Sequence, residues 1–305
     1  MKINWTALQA LAAVATISFG VTPALAQVPP DIAAKIKAIG PKIDFSVMGL
    51  YAPLQAKPPY PGITVTRDVA YGSDPLQKLD VFEPAATRMP KPVMIFVHGG
   101  GFVRGDKAQT DNMLVWAVNH GMVGVDIDYR LAPKDPWPAG AQDLASAIAW
   151  AKANIAHYGG DSHRIFLWGH SAGANHVADY VAHPELQGPE VSSVKGAIIL
   201  SAFYAEAVAG PPNAYYGSDA SLQGSGASIA RMIKTPIPLF VANAEYDPDG
   251  FRAYAAALDA ALTQAHRKHG RRFLKDHDHL SEGLAVGTAD VSLTKPLLAW
   301  IQSVP

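Results

Sequence analysis

No cysteine occurs in the 305 residues, which excludes disulfides, thiolate metal sites and a cysteine nucleophile at once. Charge of one sign is lacking too: 25 Lys and Arg stand against 26 Asp and Glu, a net charge of −1. Without a basic run, the chain has no electrostatic footprint for nucleic acid or for an anionic membrane surface. Beyond the N-terminus no apolar run is long enough to span a bilayer. Internal repeats and low-complexity segments are also missing. What is present is a chain of 49% apolar residues, enough for one sizeable core.

The exceptional apolar run lies between Lys2 and Gln27. A positive residue, an apolar centre from Ala7 to Val21, and Ala24-Leu25-Ala26 form the pattern of a secretory signal. Cleavage is expected after Ala26, with a periplasmic or secreted mature chain; the competing readings are a buried N-terminal helix and a retained membrane anchor. Residues 27–61 carry Pro41, Pro53, Pro58, Pro59 and Pro61 after a weak helical spacing of Ile32, Ile36 and Ile39. They suggest an irregular arm laid over the body, near a pocket mouth, against the alternative of a mobile tail.

Ile63-Thr64-Val65 and Lys78-Leu79-Asp80-Val81-Phe82 alternate at period two and predict an antiparallel, hairpin-like pair. The continuous apolar run Val93-Met94-Ile95-Phe96-Val97 has the character of a strand buried on both faces. From there helices and strands take turns. Helical spacing over 108–120 stops at Gly121, a strand covers 122–127, and Leu144, Ile148, Ala151 and Ile155 mark a helix face. Strands follow over 164–168, 194–200 and 237–241. A helix through Phe251, Tyr254 and Leu258, a short strand over 272–274 and a closing helix over 290–302 complete the chain. This alternation predicts one α/β domain over 27–305, a mostly parallel sheet with helices on both faces. The stretch 202–235, rich in Gly, Ala, Ser and Tyr, is expected to be a small lid.

The chain is organised around Gly169-His170-Ser171-Ala172-Gly173, between the strand ending at Trp168 and a helix with Val177, Tyr180 and Val181 on one face. Strand, G-x-S-x-G and helix together make a nucleophile elbow. The glycines allow a tight turn in which a Cβ would clash. The bland reading is an ordinary serine in a βα turn. A serine nucleophile needs a base, and the base an orienting acid. In this topology both belong on loops after later strands. Asp247 fits as the acid, with Asp249 or Glu245 as competitors. His279 fits as the base, with His277 as competitor. A metal site on His277 and His279 is a further rival, weakened because alternate residues of extended chain point opposite ways.

His98-Gly99-Gly100-Gly101 lacks the partners of a phosphate cradle and fits half of an oxyanion hole. The N–H groups of Gly100, Gly101 and Ala172 would surround the developing charge. His98 is expected to brace the loop and His170 to point away from the nucleophile. His157, His163, His183 and His266 have the character of surface residues.

Assembled, these residues resemble the α/β-hydrolase fold. Within it they resemble the carboxylesterases related to hormone-sensitive lipase and the shorter ones related to feruloyl and acetyl-xylan esterases. The matching stretches are His98-Gly99-Gly100-Gly101-Phe102 with Gly105-Asp106, Asp128-Tyr129-Arg130-Leu131-Ala132-Pro133, Trp137-Pro138-Ala139 before Asp143, Gly159-Gly160-Asp161 with Arg164, the elbow, and Asp247-Pro248. They run in order across about 75–285. The resemblance implies Ser171 as nucleophile, His279 as general base, Asp247 as orienting acid, and Gly100, Gly101 and Ala172 as oxyanion donors. It also implies a corner at Tyr129-Arg130, with Arg130 paired to an acid such as Asp143, and no metal or organic cofactor.

The chain departs from the lipase-like pattern after His279, where Leu280-Ser281-Glu282 stands in place of Gly-Phe. That stretch and Asn213-Ala214-Tyr215-Tyr216-Gly217 look more like feruloyl-type esterases and kynurenine formamidases. The expectation is an exported serine carboxylesterase acting on small or medium acyl esters. Its rivals are an arylformamidase-like amide hydrolase and a catalytically silent binding module. If Tyr215 and Tyr216 line the pocket, they favour aromatic or sugar-linked esters.

Overall fold

In the computed structural model residues 27–86, 89–203, 214–217 and 229–305 are described. The expected signal segment and most of the expected lid lie outside them. Among the described residues eight strands form one sheet. They are β1 (Ile63–Ala70), β2 (Lys78–Pro84), β3 (Lys91–Val97), β4 (Val123–Ile127), β5 (Gly160–His170), β6 (Val194–Leu200), β7 (Leu239–Tyr246) and β8 (Gly270–Asp278). Their order is β1-β2-β4-β3-β5-β6-β7-β8. The β1–β2 and β2–β4 pairs are antiparallel and the rest parallel.

The central strands are apolar on both faces because both faces are covered. Val93, Ile95 and Val97 of β3 enter one apolar layer, and Met94 and Phe96 enter the other. β5 repeats this, with Ile165 and Leu167 on one side and Phe166 and Trp168 on the other. Helices α4 (Ala139–Asn154) and α5 (Ala172–Ala182), with the helix Asp249–Gln264, cover the first face. Helix α3 (Asp111–Asn119) and the helix Thr294–Ser303 cover the second. The carboxyl ends of β3, β5, β6, β7 and β8 therefore share one edge, where loops can carry chemistry.

Several boundaries differ from the expected ones. β7 starts after Pro238 and continues to Tyr246, so Asp247 follows the strand directly. β8 is nine residues long, far beyond 272–274, and ends just before His279. Partners in the sheet, rather than local composition, extend both: Asn243 and Ala244 pair with Phe273 and Leu274, and Tyr246 with Asp278. The arm is no irregular strap. Residues Pro30–Ile39 form α1 and Val47–Tyr51 form α2. Ile32, Ile36, Val47 and Tyr51 bury together against Ala285. Proline begins α1, where its missing N–H is harmless.

His183, expected at the surface, is not there, and Tyr215 and Tyr216 do not line the pocket. His183 is buried, with Nδ1 2.8 Å from Glu185 Oε1 and its ring edge-on to Trp137. Tyr215 and Tyr216 are also buried, packed on Phe102 and away from the pocket described below.

The same aromatic cluster encloses His176 of α5, between Phe102, Tyr129 and Tyr215. Neither ring nitrogen has a hydrogen-bond partner among the described residues. Burial pushes its pKa down to about 3, against about 6.5 in an unfolded chain. As pH falls through that window the unfolded chain takes a proton that the folded ring refuses, so acid destabilises the fold through this group. A His176→Phe variant lacks the effect. Relative to it, the wild type is expected to lose 1–2 kcal/mol between about pH 7 and pH 5 in urea unfolding. A pH-independent difference between the two proteins would contradict the assignment.

Candidate active site

Ser171 stands between β5 and α5 with φ 55° and ψ −125°, a backbone conformation rarely adopted by a residue with a side chain. The flanking glycines make that turn possible. A Cβ on Gly169 would lie 2.3 Å from Gly173 O, and one on Gly173 would lie 2.0 Å from Val97 O. The turn points Ser171 Oγ at His279 Nε2, 2.8 Å away. On the far side of the ring, Nδ1 lies 2.7 Å from Asp247 Oδ1. A carboxylate only accepts, so Nδ1 carries the proton and Nε2 is left to accept from the serine hydroxyl.

Asp247 is fully buried. Its Oδ2 accepts from Ser201 Oγ at 2.6 Å and from the Ala244 N–H at 2.7 Å. The competitors are engaged elsewhere. Asp249 is 83% exposed and pairs with Arg252. Glu245 accepts from the Asp276 N–H at 2.8 Å. His277 faces away, with Nδ1 3.1 Å from Ser281 Oγ and Nε2 3.0 Å from Asp290 Oδ2.

Strand alternation thus separates His277 from His279, and the two do not converge on a metal. His170, His279 and Glu282 do bring ligand-type atoms within 4.8 Å of one another. Both nitrogens of His279 are already committed to Ser171 and Asp247, so this trio does not fit a resident ion.

The glycine loop adjoins the serine. A Cβ on Gly99 would come 3.0 Å from Ser171 Cβ. Gly100 has φ +132°, and a Cβ there would lie 1.9 Å from Arg104 O. Gly100, Gly101 and Ala172 all line the cavity beside Ser171. Their N–H groups donate to no other group among the described residues.

The loop is braced from behind. His98 Nδ1 donates to Gly99 O at 2.7 Å, its ring stacks on Tyr129, and burial lowers its pKa to about 4. Tyr129 Oη donates to His98 O at 2.8 Å. Arg130 Nη2 donates to buried Asp143 at 2.7 Å, which ties the corner to α4. His170 turns from the nucleophile to the main chain of the neighbouring loop, its Nε2 2.7 Å from His279 O.

Above Ser171 lies a cavity of about 390 Å³. Its walls are largely apolar, with Met113 and Trp168 from the core, Phe251 and Leu284 from the helices Asp249–Gln264 and Ser281–Leu284, and Phe45 and Met48 from the arm. Arg104 is the charged residue among the described lining residues, and its guanidinium lies over the Phe45 ring.

Sequence reasoning missed Ser201 and Glu282; the arm was expected near a pocket mouth, and its Ile43, Phe45 and Met48 line the cavity. Ser201 had a legible signal, a polar residue directly after an apolar strand at the functional edge. Glu282 had none, because only packing brings it there.

Residues 79–186 match the family described as BD-FAE. Esterase LipC of Mycobacterium tuberculosis is 44% identical over 111 residues, 36% of this chain and 28% of that protein. Carboxylesterase NlhH of the same species is 41% identical over 96 residues, 31% of this chain and 30% of its own length. The chain therefore spans under a third of these curated relatives. Solved structures match over nearly all of it. A fungal esterase from Rhizomucor miehei has a TM-score of 0.67 at 21% identity, over 92% of this chain and 98% of that one. Esterase B of Lactobacillus rhamnosis has a TM-score of 0.68 at 18% identity, over 90% and 97%.

The chain has the α/β-hydrolase fold. Within this fold the region matched by the family runs from β2 to just past the elbow helix. It contains the glycine loop, the Tyr129-Arg130 corner and Ser171, whereas Asp247 and His279 lie beyond it.

Proposed function

We propose that the protein is a serine carboxylesterase that hydrolyses small or medium acyl esters through a covalent acyl-enzyme. The observation that carries this reading is the hydrogen-bonded chain Ser171–His279–Asp247, beside three backbone N–H groups without another acceptor. The esterase names of the partial relatives support it, as do the largely apolar cavity walls.

In the first step Ser171 Oγ attacks the ester carbonyl carbon while His279 Nε2 takes the hydroxyl proton. The N–H groups of Gly100, Gly101 and Ala172 stabilise the oxyanion, each donor contributing on the order of 10²–10³ in rate. Collapse passes the Nε2 proton to the leaving alkoxide and leaves an acyl-Ser171 ester. A water, deprotonated by His279, then attacks that ester and releases the acid. Asp247 keeps the Nδ1 proton in place and stabilises the imidazolium.

Export belongs to the same proposal. It rests on Lys2, the apolar run to Val21 and Ala24-Leu25-Ala26. One mass spectrum tests both parts. Protein expressed from the full reading frame and treated with a fluorophosphonate is expected to begin at Gln27 and to carry one adduct, on Ser171. An unlabelled, folded and ester-inactive protein would favour a silent binding module, and a retained N-terminus would remove the export proposal.

A further inference from the structure

Behind the triad acid lies a second carboxyl group that the mechanism above does not use. Glu282 is fully buried, at 0% exposure, in the short helix Ser281–Leu284. Neither of its oxygens has a hydrogen-bond partner of good geometry among the described residues. An ionised carboxylate left this way would be among the most unfavourable arrangements in a protein interior.

Among the described groups facing it, only the Ser201 hydroxyl favours a negative charge, and burial and two acids oppose it. From β5 comes His170, whose Nε2 lies 3.2 Å from Glu282 Oε1 but is directed at His279 O, 2.7 Å away. Burial holds the His170 ring neutral near neutral pH, its pKa lowered to about 3. Asp247 from the end of β7 and Asp278 from β8 are both acids, and each raises the pKa of Glu282 further after burial itself. Tyr51, the titratable residue of α2, has no hydrogen-bond partner for its hydroxyl among the described residues. No lysine or arginine pairs with Glu282 among the described residues. Ser201, at the end of β6, is the hydroxyl it faces. That hydroxyl donates to Asp247 Oδ2 at 2.6 Å, so its lone pairs are free to accept.

We propose that Glu282 is a positioning residue for the triad: as the neutral acid it donates to Ser201 Oγ, which fixes the Ser201 hydroxyl on Asp247 and leaves Asp247 the one anion behind His279. The inference rests on the esterase reading. The relay runs from Glu282 through Ser201 and Asp247 to His279, and such chains strengthen one another in a low-dielectric interior. It also accounts for an acid in Leu280-Ser281-Glu282, the stretch in which the sequence leaves the lipase-like pattern.

Two measurements test it. The first needs no turnover. The infrared difference spectrum of wild type minus Glu282→Gln at neutral pH is expected to contain the carbonyl band of a protonated buried carboxyl. Carboxylate bands in its place overturn the proposal. The second is kinetic, with 4-nitrophenyl acetate. Glu282→Gln, which still offers an N–H to Ser201, is expected to keep kcat within about threefold and the acid limb of kcat/KM in place. Glu282→Leu is expected to lose about tenfold in kcat with KM little changed, and to lose under twofold when made in Ser201→Ala.

A limb that moves down by a unit or more in Glu282→Gln would mean a lost negative charge beside His279, and overturns the proposal. So does an undiminished kcat in Glu282→Leu, or a full tenfold loss in the Ser201→Ala background. A wild type inert toward esters would instead sink the esterase reading, while the infrared result still decides the protonation state of Glu282.

Discussion

Ser171→Ala and His279→Ala are each expected to lower kcat for 4-nitrophenyl acetate by about 10⁶-fold, and the double variant by no more than either alone. The reason is geometric. Oγ and Nε2 are 2.8 Å apart and share one proton. Without the base the hydroxyl is a poor nucleophile, and without the hydroxyl the base has nothing to activate. The two side chains therefore act as one unit, and the second deletion removes nothing further. Residual catalysis of about 10³–10⁴ over water is expected from the oxyanion donors and the cavity. Steady-state kinetics with active-site titration checks the rates, and circular dichroism checks that the variants fold. Losses that multiply in the double variant would mean that the residues act independently.

Asp247→Asn is expected to cost about 10⁴-fold in kcat with little change in KM. The surroundings of this carboxylate dictate which way the new amide sits. Oδ2 receives two donors, the Ser201 hydroxyl and the Ala244 N–H. An amide nitrogen placed there would face both of them, so the asparagine oxygen takes that position. Its NH₂ group is then turned toward Nδ1 of His279. The ring answers by moving its proton to Nε2, the atom that has to accept from Ser171. Geometry survives and the tautomer is wrong. Nitrogen-15 shifts of His279 report the tautomer directly. An active variant that retains the Nδ1 proton would show that Asp247 is not the orienting acid.

How far the site was legible depended on how local each signal was. The elbow was readable because its requirement is local: Gly169 and Gly173 have to lie within contact of the turn they flank. Buried strands were readable where both faces are covered, as in β3. Their ends were harder, since β7 and β8 each extend the other by pairing beyond their apolar runs. Exposure was read least well for side chains whose cover comes from elsewhere. Tyr215 lies under Phe102, and His183 lies against Trp137. The arm had a proline-rich composition that suggests irregularity, yet Ile32, Ile36, Val47 and Tyr51 found one another and Ala285, and so folded it into two helices.

By itself the sequence determined the alternating α/β order, the serine at its turn, the glycine loop, and a short list of acids and histidines on later loops. These follow from periodicity and from turn chemistry, which act over a few residues. Only the tertiary structure shows that Asp247 and His279, and not their neighbours, stand in hydrogen-bonded line with Ser171. Alternate residues at a strand end point to opposite sides, and the side that meets Ser171 depends on a partner 108 residues away in the chain. The same holds for Glu282 behind Ser201. Those contacts are products of sheet order and packing, and no local pattern encodes them.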